Sequence, residues 1–136
     1  MIRDIVTDTF FLRMPAQPAA PSDAAVADDL LDTLRANAGR CVGLAANMIG
    51  ARKAVIVVDD GGKPLEMFNP VVVAKDDPYD AEEGCLSLPG TRPCRRYRKI
   101  KVAWATREGK PRTRTFTGFT AQIIQHEMDH LQGILI

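Results

Sequence analysis

Apolar residues recur at helical spacing in a segment near the start of this chain. The segment begins after Ser22 and Asp23. Five of its apolar residues would share one face of a helix: Ala25, Val26, Leu30, Leu31 and Leu34. Ser22 or Asp23 can cap the first turn, and Gly39 marks the end of the segment. The pattern predicts an N-terminal helix with one buried side.

A second helix is expected at the other end of the chain, where Thr117 or Thr120 can begin it and Gly133 can stop it. Its apolar anchors are Ile123, Ile124 and Leu131. The apolar residues 134–136 follow this helix, and a free hydrophobic tail does not stay solvated. We expect them to pair as a short strand or to lie in a subunit interface.

Strands are predicted in the middle of the chain. Residues 54–58 and 67–73 are runs of mostly apolar residues, and the turn-forming residues 59–62 separate them. Residues 100–106 and 112–116 form a predicted hairpin joined through Glu108, Gly109 and Lys110. The segment around Gly43 is expected to be a loop.

Composition indicates a single globular domain over residues 1–136. The chain is 46% hydrophobic and 26% charged, and its 18 basic and 17 acidic residues give a net charge of +1. This balance offers no overall attraction to nucleic acid or to a membrane. Residues 1–13 lack the long apolar region of a signal peptide, and an odd number of cysteines argues against a disulfide framework. We therefore expect a protein of a reducing compartment with no membrane partner.

Positive charge is concentrated in one short stretch from Arg92 to Lys101. It comprises Arg92, Arg95, Arg96, Arg98, Lys99 and Lys101. A solvated strand face is the first interpretation, in which alternation puts half of these charges on each side. The functional alternative is a surface that meets an anionic partner, such as ribosomal RNA.

Both histidines of the chain belong to one motif, His126-Glu127-Met128-Asp129-His130. On a helix, residues four apart lie on the same face, so two imidazole nitrogens can bind one metal ion. Glu127 would lie beside the metal as the base that handles the proton of a water molecule. The motif predicts a metal-dependent hydrolase rather than a solvated helix.

A catalytic metal site normally needs a third protein ligand. No Glu or His follows His130, which argues against a zinc protease with a downstream ligand. The best upstream candidate is Cys85 in Glu83-Gly84-Cys85, where Glu83 can orient a ligand or a substrate amide. The non-enzymatic alternative is a closed structural site in which Cys94 joins Cys85 and the two histidines.

Three stretches of the chain resemble, in order, the signature motifs of peptide deformylases. They are Gly43-Leu44-Ala45-Ala46, Glu83-Gly84-Cys85-Leu86-Ser87, and the segment from Gln125 through His126 and His130 to Gly133. Asn69-Pro70, and Leu88-Pro89-Gly90 with Arg92, also resemble the family pattern. The resemblance extends over nearly the whole chain.

The resemblance implies a metal-dependent removal of formyl from the initiator methionine of new polypeptides. It makes Cys85, His126 and His130 the ligands of Fe(II), or of a substituting Zn, Ni or Co ion, and Glu127 the general acid and base. The backbone N–H of Leu86 would be a donor to the oxyanion. Residues expected on the substrate, an N-formylmethionyl peptide, are Val42, Gly43, Met48, Glu83, Gly84 and Arg92. The implied fold is α+β, with small antiparallel sheets around a central metal-binding helix and an N-terminal helix.

The chain departs from the family pattern where the first motif has a glutamine that donates to the oxyanion. Met48 stands there, and a thioether has no N–H to donate. We expect slower turnover, unless a small backbone shift brings the neighbouring amide of Asn47 into the site. Cys41 replaces a glycine and would be strained at positive φ. A degenerate deformylase that binds N-terminal peptides, or acts on another small amide, is the alternative.

Overall fold

Five antiparallel strands form one sheet whose order follows the chain, β1-β2-β3-β4-β5. The computed structural model describes residues 1–136. The strands are β1 (Gly43–Ala45), β2 (Val55–Asp60), β3 (Lys63–Cys85), β4 (Leu88–Ala105) and β5 (Pro111–Thr117). The helices are α1 (Thr9–Leu12), α2 (Ala24–Ala36) and α3 (Gly118–Leu131), with short 3-10 turns at Pro21–Asp23 and Ala46–Ile49. The α+β class expected from the sequence is confirmed.

The sheet differs from the expected small, separate sheets because β3 and β4 are long and continuous. They pair from Phe68 with Ala105 to Cys85 with Leu88. Irregularities between Phe68 and Val71, between Val72 and Ala74, and between Gly84 and Cys85 interrupt the register. Such bulges bend a strand without ending it. One ladder can therefore turn around the core and extend from it as a largely exposed arm.

The first of these bulges also fastens the segment that precedes α2. Asn69 adopts a left-handed backbone conformation there, with φ of 53°. Its side-chain amide donates to the carbonyl of Ala19 and its Oδ1 accepts from the N–H of Ala19. These two bonds hold the incoming chain against β3.

The segment around Gly43 is a strand, not the expected loop. Residues 43–45 pair with residues 56–58 of β2, and all three are buried. A three-residue strand is too short to show an alternating pattern in the sequence. Its pairing with β2 places Gly43 next to α3, since a β-carbon at Gly43 would lie 2.9 Å from a Glu127 carboxylate oxygen.

Both predicted helices are confirmed. The N-cap of α2 is Asp23, although its carboxylate bonds to the N–H of Ala20 and not to the first turn of the helix. The N-cap of α3 is Thr117, and the left-handed Gly133 follows its last turn. None of the helices has the length and apolar composition that crossing a membrane requires.

The hydrophobic core lies between α2, α3 and the inner face of the sheet. Fully buried members include Leu30, Leu44, Ile56, Met67, Phe68 and Ile124. The residues after Gly133 form no strand, contrary to expectation, but Ile136 is buried within the chain itself. Because α3 crosses the centre of this core, its polar residues are withdrawn from bulk water.

Candidate metal centre and substrate cavity

The two histidines of α3 face a cysteine at the end of β3. His126 and His130 lie one helical turn apart, and their Nε2 atoms are 3.0 Å from each other. Cys85 supplies a thiol, and the three ligand atoms all lie within 4.8 Å of one another. The structure therefore brings together the three residues expected to bind a metal.

The hydrogen bonds of the two histidines suit a metal. The Nδ1 of His126 donates to Glu83 at 2.8 Å. Burial lowers the pKa of His126, but its hydrogen bonds with Cys85 and Glu83 outweigh burial and raise that pKa to about 10, so Nε2 carries a proton that a metal ion would displace. Burial, with the charges of His126 and Arg96 nearby, lowers the pKa of His130 to about 3, so its imidazole is neutral. Two nitrogen lone pairs 3.0 Å apart repel unless a proton or cation lies between them. One sulfur and two imidazoles fit a borderline transition metal and leave a fourth position open.

Cys94 is not part of this group. It lies on β4 opposite Ala81, and its Sγ contacts the carbonyl oxygen of that residue at 3.7 Å. The hairpin thus holds Cys94 away from the two histidines, and the closed Cys₂His₂ site considered above is not formed.

Glu83 is engaged by side chains of the protein itself. Its carboxylate accepts from His126 Nδ1 at 2.8 Å, from Arg96 Nη2 at 2.7 Å and from Gln122 Nε2 at 2.8 Å. Burial alone would raise the pKa of Glu83, but the bonds from His126, Arg96 and Gln122 hold it well below its usual range. The carboxylate therefore orients a histidine, a role that the sequence left open beside substrate binding.

Arg96 corrects the expectation of a solvated basic face. It is 4% exposed and donates to both Glu83 and Asp129, the latter at 2.7 Å. Opposite charge on two sides keeps the pKa of Arg96 above its ordinary value despite burial. One member of the basic stretch is thus an internal support of the metal centre.

Glu127 is a buried carboxylate with an unused oxygen. Its Oε1 has no hydrogen-bond partner within the protein. Burial raises the pKa of Glu127 to about 7 against the opposing charge of His126. A carboxyl group with this pKa can exchange a proton near neutral pH, as a general base must.

A cavity of about 630 Å³ lies beside the metal centre. Its walls include the expected ligands Cys85 and His126, the buried carboxylate of Glu127, and Leu86. Of the residues expected on the substrate, those that line it are Val42, Gly43, Met48, Glu83 and Gly84. Arg92 is not among the lining residues and bonds instead to the carbonyl of Pro89.

Three cavity residues on α3 were missed by the sequence analysis. Phe119, Gln122 and Ile123 stand on the same face of α3 as His126 and line the cavity with it. Helical spacing back from the motif would have found them, because Gln122 is one turn before His126. Cys41 also lines the cavity, and its φ is not positive, so the expected strain is absent.

Asn47 does not take over the role of the missing glutamine. It is fully buried, and its Nδ2 donates to the backbone carbonyl of His130 at 2.8 Å. The backbone shift that could have brought the Asn47 amide into the site is not found, and it would break this bond. Met48 turns its sulfur to the N–H of Ala45 at 3.5 Å and presents no donor to the cavity.

The comparisons with known proteins agree with this geometry. A family model described as polypeptide deformylase matches residues 2–136. A peptide deformylase of Clostridium beijerinckii is 51% identical over 136 residues, which cover all of both chains. One of Desulfitobacterium hafniense is 42% identical over 123 residues, covering 90% of this chain and 81% of that protein.

Solved structures are similar over the same length. The crystal structure of a peptide deformylase from Thermotoga maritima has a TM-score of 0.90 at 30% identity, covering 99% of this chain and 95% of that one. A Met-Ala-Ser-bound deformylase from Acinetobacter baumannii has a TM-score of 0.89 at 29% identity, covering 99% and 97%.

Proposed function

Because the chain belongs to the peptide deformylase family, we propose that it removes the formyl group from the N-terminal methionine of newly made polypeptides. The observation that carries the proposal is the triangle of Cys85, His126 and His130 with the unpaired Glu127 oxygen beside it, all at one cavity. The family is metal-dependent, and hydrolysis of an amide is the chemistry for which such a site is suited.

We propose Fe(II) as the native ion, held by Cys85, His126 and His130, with Zn, Ni or Co able to replace it. A bound metal supplies Lewis-acid activation of water and of the formyl carbonyl. A thiolate and two neutral imidazoles are ligands that each of these ions accepts. Glu83 and Arg96 keep the ring of His126 in place during the reaction.

Glu127 moves the proton. Its carboxylate takes a proton from the water that attacks the formyl carbon. It returns the proton to the amine nitrogen as the bond between that nitrogen and the formyl carbon breaks. Formate and a free N-terminus are the products, and Glu127 is again ready to accept a proton.

The peptide is expected to lie along the cavity walls formed by Val42, Gly43 and Gly84. The backbone N–H of Leu86 would donate to the oxygen of the formyl group as negative charge develops on it. Met48 lies at the same cavity and contributes only apolar surface there. Arg92 lies outside the lining, so we assign it no contact with the formylated residue.

We propose that turnover is slower than in relatives with glutamine at position 48. Removing one donor to an oxyanion typically costs about 10²–10³ in rate. We therefore expect Met48→Gln to raise kcat by about 10²-fold, with little change in KM, for formate release from an N-formylmethionyl peptide. The measurement uses anaerobic protein loaded with Fe(II) or Ni(II).

Met14→Gln provides the matched control, because Met14 lies outside the cavity. Silence of the native protein together with activity of Met48→Gln would indicate a peptide binder or a different amide substrate. Silence of both proteins with metal bound would refute the deformylase proposal. Full-rate turnover that is insensitive to Met48→Gln would show that position 48 does not contact the oxyanion.

We propose that the protein acts in the cytoplasm, the compartment in which formylated chains are made. The three free cysteines are compatible with a reducing compartment. Contact with ribosomal RNA would use the exposed cations Arg95, Arg98, Lys99 and Lys101, since Arg96 is buried. Arg95 pairs with Asp80, and Lys99 lies opposite Asp76, so we expect only weak, salt-sensitive co-sedimentation with ribosomes.

A further inference from the structure

Gln122 connects the wall of the cavity to the support of the metal centre. It is half-buried, lies one turn before His126 on α3, and lines the cavity. Its Nε2 donates to Glu83 Oε2 at 2.8 Å, and the other oxygen of that carboxylate accepts from His126. The path from Gln122 to a metal ligand is thus two hydrogen bonds through one carboxylate.

The orientation of this amide is fixed by chemistry. An ionised carboxylate only accepts hydrogen bonds, so the amide nitrogen of Gln122 must face Glu83. The carbonyl end, Oε1, then has no hydrogen-bond partner within the protein. Gln122 therefore uses one end of its side chain on Glu83 and leaves the other end unpaired.

Gln122 and Arg96 hold the Glu83 carboxylate from two different sides. Arg96 donates to both oxygens of the carboxylate, at 2.7 Å from Nη2 to Oε1 and 3.0 Å from Nε to Oε2. It is itself drawn towards Asp129. Gln122 holds the Oε2 side from α3, which limits rotation of the carboxylate away from His126.

We propose that Gln122 is a positioning residue of the metal centre, acting on His126 through Glu83; this rests on the function proposed above. It keeps the Nδ1–H of His126 paired with Glu83 and thereby keeps the Nε2 lone pair aimed at the metal. Groups that contact a metal ligand directly are typically worth about 10–100-fold in metal affinity. Gln122 acts one bond further away, so its effect lies at the lower end of that range.

The test measures metal retention, which requires no turnover. Protein loaded with Co(II) is mixed with excess chelator, and the loss of the cobalt–thiolate absorption is followed in time. Gln122→Leu removes the hydrogen-bond donor and keeps a side chain of similar size. Release of cobalt is expected to become about tenfold faster. Gln122→Glu puts a second carboxylate against Glu83, and release is expected to be faster still because like charges repel.

Gln132→Leu is the control, since this exposed glutamine caps the end of the same helix and is not among the residues that line the cavity. Equal release from the native protein and both Gln122 variants would overturn the inference. So would a raised KM with unchanged metal release, which would assign Gln122 to the peptide alone. An inactive native protein with the expected order of release rates would refute deformylation and leave the positioning role standing.

Discussion

Gly43 lies so close to Glu127 that adding a single methyl group at Gly43 would displace the Glu127 side chain. A β-carbon at Gly43 would lie 2.9 Å from Glu127 Oε2 and 2.7 Å from Ile123 Cγ2. Ile123 is a stiff, branched side chain of the core, so the added methyl group also costs about 1–3 kcal/mol of stability through overpacking. We expect Gly43→Ala to lower kcat by about 10²-fold, the typical cost of moving a catalytic group by about 1 Å.

Steady-state kinetics of formate release check this prediction. Because Gly43 touches none of the three metal ligands, cobalt release to a chelator should be the same as in the native protein. An increase in KM with unchanged kcat would contradict the prediction, since it would mean that the methyl group obstructs the peptide and leaves Glu127 in place.

Single residues also show which parts of the site could be predicted from the sequence. His126, His130 and Glu127 share a local motif, and Cys85 belongs to another, so each was visible without a structure. Gln122 and Arg96 carry no motif, and their function depends on contacts with Glu83 across 39 and 13 residues of chain. The role of Asn47 stayed open in the sequence because its partner, the carbonyl of His130, is 83 residues away.

At the level of elements, the turn that follows α3 packs closely against the backbone at the end of α1. Gly133 has φ of 79°, and a β-carbon there would overlap the backbone of Arg13. We expect Gly133→Ala to lower the free energy of unfolding by about 2–4 kcal/mol, from the left-handed conformation together with overpacking. Urea unfolding followed by circular dichroism measures the change.

Gly39→Ala separates the two causes. Gly39 has φ of 89°, but a methyl group added there would have no neighbour within 4 Å, so only the backbone cost of about 1 kcal/mol remains. Equal losses of stability in the two variants would mean that the contact between Gly133 and Arg13 contributes nothing.

The helices and the hairpins were not equally predictable. α2 and α3 have local signals, namely apolar spacing, a capping residue and a terminal glycine, and both were found within a few residues. Residues 73–78 of β3 are all exposed, and the alternation over residues 79–85 turns a charged side chain, Glu83, to the buried side, so the sequence shows no apolar strand face there. The structure of this part of β3 and β4 depends on their pairing with each other, which a reading of local pattern does not detect.

For the molecule as a whole, the proposed metal centre is a small group of polar side chains surrounded by the hydrophobic core. His126, His130 and Glu127 are buried in α3, between the sheet and the cavity. An ion that binds only the folded state stabilises it by about 2.7 kcal/mol when present at about 100 times its Kd. Removing the metal with a chelator should therefore lower Tm by about 5–10 °C.

Differential scanning calorimetry before and after chelation, with metal content measured on the same samples, checks this prediction. Refilling with Ni(II) should restore the original Tm. Loss of all metal without any change in Tm would show that the site contributes nothing to the stability of the folded state.

The separation of the ligands along the chain also has a consequence for the order of folding. Cys85 and His126 are separated along the chain by β4 and β5, and the long β3–β4 hairpin must close before Cys85 can reach α3. Contacts between distant segments form late, because the entropy of closing the loop is lost first. On the ribosome, α3 is made after every strand of the sheet. The complete set of ligands therefore exists only once the sheet is made, so the ion cannot serve as an early template and is acquired by a nearly finished protein.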